Sequence, residues 1–281
     1  TGGTKGVYYQ LGGALAAQWH SEYGIPTPAV LQTPGSVANL NLLRTGRVNV
    51  AFSAADAAAD AVAQQKHSRG RQIRAIARIY DDYIHIVVRA DSPIHRVADL
   101  HGRRVSIGSP NSGVELIAHR LLRVAGIDPG VDMRARHLGI NDSLTALKAG
   151  KIDAFFWSGG LPTPGIAALA KQVPLRLVDI ADLLPALQRR YPVYEPATVP
   201  ASVYHLPGGP VTTLIVPNFL LVTVNMPDGV AKAITSTIFD RQRELVNANR
   251  AALSIDVHAA IETAPVPLHP GAAAYYRAQK P

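Results

Sequence analysis

Five short segments rich in glycine and hydroxyl side chains stand directly before predicted helices. They are 1–6 (TGGTKG), 33–40 (TPGSVANL), 52–56 (FSAAD), 108–115 (GSPNSGVE) and 157–165 (WSGGLPTPG). The first N–H groups of a helix have no partner within the helix, and the macrodipole makes that end partly positive. Together the segments predict a binding cleft for an anion. Taken singly, Ser36, Ser53, Ser109 and Ser112 could each be an ordinary N-cap.

Motifs that would indicate catalysis are missing from the sequence. It has no G-x-S-x-G turn, no H-E-x-x-H pair, no G-x-x-x-x-G-K-[ST] loop and no cysteine. Its ten histidines are dispersed, with His85 in a predicted strand and His119 on a predicted helix. Asp81 and Asp82 precede a strand and are expected in an exposed turn, whereas Asp56 lies in the first turn of a helix and could face the cleft. We therefore predict no catalytic residue, no metal and no cofactor.

Composition predicts a folded protein with a large core. The chain has 281 residues, 47% hydrophobic and 17% charged, which favours about two domains. No apolar stretch is long enough to cross a membrane and no leader begins the chain, so the protein is either cytosolic or has lost its leader. The net charge of +8 is spread over small basic groups such as Arg103 with Arg104, which predicts a basic surface and no nucleic-acid partner.

Short β-rich runs alternate with helical patterns, which indicates βαβ units and a mostly parallel sheet. The predicted strands are 49–53, 83–90, 104–109 and 152–157. Helices are expected at 54–63, after Ser112 with Gly126 at the C-terminal end, and after Asp228 as N-cap. The segment 189–217 carries six prolines and is predicted to be a long irregular surface excursion.

Four segments carry a resemblance to a known family. They are TGGTKGVYYQLGGALA (1–16), TPGSVANLNLLRTGRVNVAF (33–52), IHIVVRADSPIHRVADLHGRRVSIGSPNSGVELIAHRLLRVAG (84–126) and LKAGKIDAFFWSGGLPTPGIAALA (147–170). In this order they resemble the TAXI family of extracytoplasmic solute receptors, the substrate-binding subunits of one branch of tripartite ATP-independent periplasmic (TRAP) transporters. The resemblance covers most of the chain and is strongest from residue 1 to 180.

The resemblance implies the type II periplasmic-binding-protein fold, in which two α/β lobes are joined by a two-strand hinge. Lobe 1 would comprise residues 1–86 and 220–281, lobe 2 residues 87–219, with the ligand cleft between the lobes. The crossing strands would be 83–91 and 212–224. We expect a monomer located outside the cytoplasm, either periplasmic or lipid-anchored, whose partners are a small anionic metabolite and the membrane subunits of a TRAP transporter.

The family's pocket segments imply which residues bind the ligand. These are Gly3, Thr4, Tyr8, Ser36, Ser53 and Asp56 in lobe 1, Tyr80 on the hinge side, and Ser109, Ser112, Gly113, Val114, Trp157 and Ser158 in lobe 2. Hydroxyl and N–H groups would bind a carboxylate, and Tyr8 and Trp157 would wall its apolar stem, although either ring could instead be core.

Family members bind small carboxylates, which implies an acidic amino acid or a dicarboxylate similar to glutamate as the ligand. The chain departs from the family pattern at Lys5 (often glycine), Gln10 (commonly proline) and Val114 (more usually threonine), and each departure could alter selectivity. Two other hypotheses stay open. A ligand-sensing effector domain of a regulator or signalling receptor would use the same cleft, although a regulator needs a DNA-binding helix-turn-helix, which these 281 residues lack. An enzyme is the third hypothesis.

Overall fold

The computed structural model describes residues 1–65, 71–207 and 209–279. The helices are α1 (Val7–Tyr23), α2 (Ser36–Thr45), α3 (Ala55–Gln65), α4 (Gly113–Val124), α5 (Ile140–Lys148), α6 (Pro164–Ala170), α7 (Leu184–Arg190), α8 (Asp228–Asp240), α9 (Gln242–Ala248) and α10 (Pro270–Ala278). The strands are β1 (Ala51–Ala54), β2 (Ile73–Arg89), β3 (Arg104–Ser106), β4 (Arg134–Arg136), β5 (Ala154–Gly159), β6 (Leu175–Leu177), β7 (Glu195–Val199) and β8 (Val211–Thr223).

The chain divides into two compact units. The first unit comprises Thr1–Tyr80 with Pro217–Pro281, and the second unit is Asp81–Val216. Both β2 and β8 contribute residues to each unit, because the divisions fall inside these two strands. The divisions lie a few residues before the lobe boundaries expected from the sequence.

The first unit packs its helices around β1 and its parts of β2 and β8. β1 pairs antiparallel with β8, from Ala51 opposite Leu221 to Ala54 opposite Asn218. Its core joins Leu11 and Leu15 of α1 to Ile234 and Ile238 of α8. α10 lies so close to α8 that a Cβ added to Gly271 would overlap the backbone carbonyl oxygen of Asp228. A glycine at this position allows the two helices to approach each other.

The second unit contains a parallel group of three strands, in which β3 lies between β5 and β4. β2 and β6 extend the unit on the other side, because β2 pairs antiparallel with both β5 and β6. Each parallel strand leads into a helix, β3 into α4, β4 into α5 and β5 into α6. The carboxyl ends of parallel strands share one edge of the sheet, which brings the starts of these three helices to the same edge.

The four strands predicted from the β-rich runs are present, as is the crossing strand at 212–224 that the resemblance implies. The prediction of a mostly parallel sheet was wrong, since β1–β8, β2–β5, β2–β6 and β7–β8 pair antiparallel and β3 makes the parallel pairs with β4 and β5. Several local predictions were also wrong. The segment 189–217 is not an irregular surface excursion, since it holds β7 and half of β8, and Tyr194 and Tyr204 are buried. Prolines are tolerated there because, among the described strands, β7 pairs on one side, with β8. Asp228 is the first residue of α8, and Pro227 is its N-cap.

The expectation of an exposed turn at Asp81 and Asp82 was also wrong. Both residues lie inside β2, which begins at Ile73, and Asp82 is buried. Their charge concealed the strand, because carboxylates are uncommon within buried strands.

Candidate functional site

A chain of hydrogen bonds links the starts of three helices in the first unit. The Ser36 hydroxyl, on the first residue of α2, accepts the N–H of Ala54 at 3.0 Å, and Ala54 immediately precedes α3. The Tyr8 hydroxyl, in the first turn of α1, lies 3.3 Å from Ser36 Oγ and also donates to Asn218 Oδ1 on β8. We call Tyr8, Ser36, Ala54 and Asn218 the first-unit cluster.

Aromatic rings complete this cluster. The Tyr8 ring stacks on Phe52 with 5.2 Å between centroids and meets Tyr80 edge-on at 6.3 Å. The structure thus brings together three of the sequence-predicted residues, Tyr8, Ser36 and Tyr80. Sequence reasoning missed Asn218, although an asparagine after proline inside an apolar strand is an unusual residue that could have drawn notice.

The other predicted residues of the first unit occupy more varied environments. Gly3 and Thr4 are exposed in the turn before α1, where the Gly3 carbonyl accepts the N–H of Gly6 at 2.8 Å. Ser53 is fully buried, and its hydroxyl donates to the Ala54 carbonyl at 3.0 Å. Asp56 is buried in the first turn of α3, where its carboxylate accepts the N–H of Ala57 at 2.7 Å. The last contact places negative charge at the positive end of a helix.

In the second unit, the loops after β3, β4 and β5 form what we call the second-unit edge (107–112, 137–139 and 160–163). Ser109 lies beside the start of α5, since a Cβ added to Gly139 would lie 3.4 Å from Ser109 Oγ. Glu115 in α4 joins the first two loops, because its carboxylate accepts the Asn111 N–H at 2.7 Å and lies 2.9 Å from His137 Nδ1. Sequence reasoning passed over His137.

Ser112, Gly113 and Val114 form the start of α4. Ser112 is the N-cap, and its hydroxyl accepts the N–H of Glu115 at 3.1 Å, so here the ordinary capping role that the sequence left open is present. Val114 is buried against Gly108, whose φ of +95° lies in a region that favours glycine. A Cβ on Gly108 would lie 2.7 Å from the Val114 Cβ.

Trp157 and Ser158, at the end of β5, each have a polar partner. Trp157 Nε1 donates to the Thr163 hydroxyl at 3.1 Å, and Ser158 Oγ donates to the Asp82 carboxylate at 3.0 Å. The second contact adds Asp82, which the sequence had assigned to a turn, to the residues around the predicted site.

A buried imidazole lies behind this part of the second unit. His85 Nε2 is 3.0 Å from the Tyr204 hydroxyl, and His85 Nδ1 is 2.9 Å from the Tyr83 carbonyl oxygen. Burial lowers the pKa of His85 to about 4, so the ring is neutral at ordinary pH. Burial also raises the pKa of Tyr204. The sequence placed His85 in a strand but gave no sign of its partner 119 residues away.

The described residues also limit which other kinds of site the structure contains. A cavity of about 460 Å³ lies in the first unit between α1, α2 and β1, and none of the predicted ligand-binding residues lines it. Within the described ranges, no group of three or more His, Asp or Glu side chains is arranged to hold a metal ion. No described helix is both long and apolar enough to span a bilayer. The first-unit cluster and the second-unit edge offer hydroxyl, amide and backbone N–H groups.

Comparison with known proteins assigns the chain to a family. Residues 1–279 match the profile of the NMT1-like family. The chain belongs to the NMT1-like family.

Solved structures similar to this NMT1-like protein include a Xanthomonas citri protein bound to ATP, which is 16% identical with a TM-score of 0.56; the match covers 97% of this chain and 90% of that one. A protein from Bordetella bronchiseptica RB50 is 18% identical with a TM-score of 0.54, covering 99% and 78%. A binding protein component of an ABC phosphonate transporter from Pseudomonas aeruginosa is 14% identical with a TM-score of 0.54, covering 86% and 72%. The fold of this NMT1-like protein is the two-lobed α/β fold of periplasmic binding proteins, which confirms the predicted fold class.

Proposed function

We propose that this protein is an extracytoplasmic solute-binding protein that captures a small carboxylate and delivers it unchanged to membrane subunits of a transporter. The narrower parts of the proposal are a TRAP-type transporter, membership of the TAXI branch, and an acidic amino acid or dicarboxylate similar to glutamate as the ligand. The family and the fold support the general role.

The first-unit cluster is the observation that supports the proposal of an anionic ligand. Three helix starts are held together by Tyr8 and Ser36. The partial positive charges of α1 and α2, about half an elementary charge each, act on the same neighbourhood, whereas the Asp56 carboxylate lies at the start of α3. Hydroxyl groups both donate and accept, so Tyr8 and Ser36 can bond to each other and still reorient toward a carboxylate. Hydrogen bonds to a charged acceptor are about twice as strong as bonds between neutral groups, which favours that exchange.

The second-unit edge supplies a similar set of groups. The starts of α4 and α5 adjoin Ser109, and the Trp157 indole provides an apolar surface. Hydroxyl and backbone N–H donors and apolar rings predominate in both sets, and the Glu115 carboxylate of the second-unit edge is already engaged by Asn111 and His137. Such groups suit reversible binding better than a reaction.

A calorimetric screen tests the proposal. The purified protein is titrated with L-glutamate, L-aspartate, succinate and 2-oxoglutarate, and mass spectrometry checks that the ligand is recovered intact. Tyr8→Phe removes only the hydroxyl and is expected to weaken binding about tenfold, which corresponds to about 1.4 kcal/mol.

Tyr23→Phe is the matched control, because Tyr23 ends α1 and its hydroxyl bonds to Thr237 of α8 at 3.0 Å. We expect it to bind as tightly as the unchanged protein. Failure of all four carboxylates to bind, or equal losses in the two variants, would contradict the proposal.

A further inference from the structure

The Trp157 indole is held in one position by the start of α6. Its Nε1 donates to the hydroxyl of Thr163, the N-cap of α6, at 3.1 Å. The ring lies directly across the backbone of Gly159, since a Cβ there would collide with Nε1 and lie 2.9 Å from Cε2. The orientation of the indole therefore depends on where Thr163 is held.

Thr163 is in turn held by Tyr204. The Thr163 N–H donates to the Tyr204 hydroxyl at 2.7 Å, while the Thr163 hydroxyl donates to the Gly160 carbonyl at 2.8 Å. With its hydroxyl hydrogen committed to Gly160, Thr163 accepts the indole N–H through a lone pair. The N–H and the hydroxyl of Thr163 thus have fixed roles.

His85 sets the direction of the hydrogen bond made by Tyr204. The Tyr83 carbonyl only accepts, so His85 Nδ1 must carry the ring hydrogen, and Nε2 is left as the acceptor. The Tyr204 hydroxyl then donates to Nε2 at 3.0 Å and keeps a lone pair for the Thr163 N–H. His85 is fully buried and Tyr204 is nearly so, which shields these bonds from competition with water.

We propose that His85, Tyr204 and Thr163 form a positioning relay that fixes Trp157 as a wall of the ligand site. The role of Trp157 as a wall of the ligand site rests on the proposed function, whereas the fixed position of its indole does not. The relay consists of positioning residues, since His85 acts on Trp157 only through Tyr204 and Thr163. A phenylalanine could supply the edge-on packing of Tyr204 on His85, with 5.7 Å between centroids, but not the two hydrogen bonds.

The test uses Trp157 as its own reporter. The protein has two tryptophans, so Trp19→Phe leaves Trp157 as the sole emitter. In that background we measure the emission maximum, quenching by acrylamide and the affinity for L-glutamate. Tyr204→Phe is expected to shift the emission to longer wavelength, to raise the quenching constant at least twofold and to weaken glutamate binding roughly tenfold.

Two further variants separate positioning from general stability. Tyr194→Phe removes another buried hydroxyl of the second unit, which accepts from Arg120 at 3.1 Å, and it should leave emission and quenching unchanged. His85→Leu should reproduce the effect of Tyr204→Phe, whereas His85→Gln retains an acceptor and should restore most of the emission. Unchanged emission and quenching in Tyr204→Phe would overturn the relay. If Tyr204→Phe alters the emission but the Trp19→Phe protein does not bind L-glutamate, the relay is upheld and L-glutamate as the ligand is contradicted.

Discussion

Ser36→Ala is expected to destabilise the first unit and to weaken ligand binding at the same time. Ser36 is 3% exposed, and its Oγ is the acceptor for the N–H of Ala54. Alanine would leave that buried N–H without a partner, at a cost of about 1–3 kcal/mol. Tyr8 loses less, because it keeps its bond to Asn218. A small gain in helix propensity for alanine offsets part of the loss, so we expect a net loss of about 2 kcal/mol.

A loss of that size lowers the melting temperature measurably. Domains of 150–250 residues shift by about 2–4 °C per kcal/mol, so Ser36→Ala should melt roughly 4–8 °C lower by calorimetry. Ser236→Ala is the control, since the Ser236 hydroxyl donates to the Asp240 side chain near the surface and its loss should change stability by less than about 0.5 kcal/mol. The affinity for L-glutamate should fall with the melting temperature. Lower stability with unchanged affinity would refute the assignment of Ser36 to the ligand site, and unchanged stability would refute the reasoning on the buried N–H.

Three further outcomes are expected. Gly271→Ala should destabilise the protein by about 1–3 kcal/mol in urea unfolding, because its Cβ would overlap the Asp228 carbonyl oxygen. Gly229→Ala, in the same pair of helices with open space around it, should instead stabilise by about 0.5–1 kcal/mol, and a loss there would contradict the packing argument. His85 binds a proton in the unfolded chain below pH 6.5 but in the folded protein only below about 4, so stability should fall as pH drops from 6.5 to 4. This fall amounts to about 3 kcal/mol and should be absent from His85→Gln, measured as the difference between their urea profiles.

Periodicity and turn chemistry predicted several of the strands and helices, whereas the two-lobed fold was implied by the family resemblance. The prediction of a mostly parallel sheet was wrong, and β4 and β7 were missed for different physical reasons. The strands 49–53, 83–90 and 152–157 were recognisable because their apolar runs end at glycine or at polar residues. β4 was missed since Arg134 and Arg136 are exposed on a strand that lies at the edge of the described sheet, beside β3, so no apolar run marks it. β7 was missed because prolines are a strong signal against strands, and only the pairing with β8 overrides that signal.

The candidate site was predictable in its parts but not in its connections. Helix starts can be read from the sequence, and the rule that parallel strands share a carboxyl edge predicts that such starts gather. The connections through Asn218 and Tyr204 join residues 210 and 119 positions apart, and no local pattern encodes such pairs. His85 illustrates the gap, since its strand was predictable whereas its neutral state depends on burial and on a tyrosine from a segment that looked irregular.

Ser36 and Ser112 show that a serine at the start of a helix can have either of two roles, which the sequence does not distinguish and the structure does. Ser112 precedes α4 in extended conformation, and its hydroxyl oxygen accepts the N–H of Glu115 in the first turn of α4. The oxygen therefore caps the helix that it precedes. Ser36 lies one residue further in, with Gly35 as the N-cap, and its oxygen accepts the N–H of Ala54 from a different segment. A shift of one position thus converts a local cap into a tertiary link between two helix starts. Aspartate, which also caps helices, should therefore be tolerated at position 112 but not at position 36, where it would bring a negative charge to the neighbourhood proposed to hold a carboxylate.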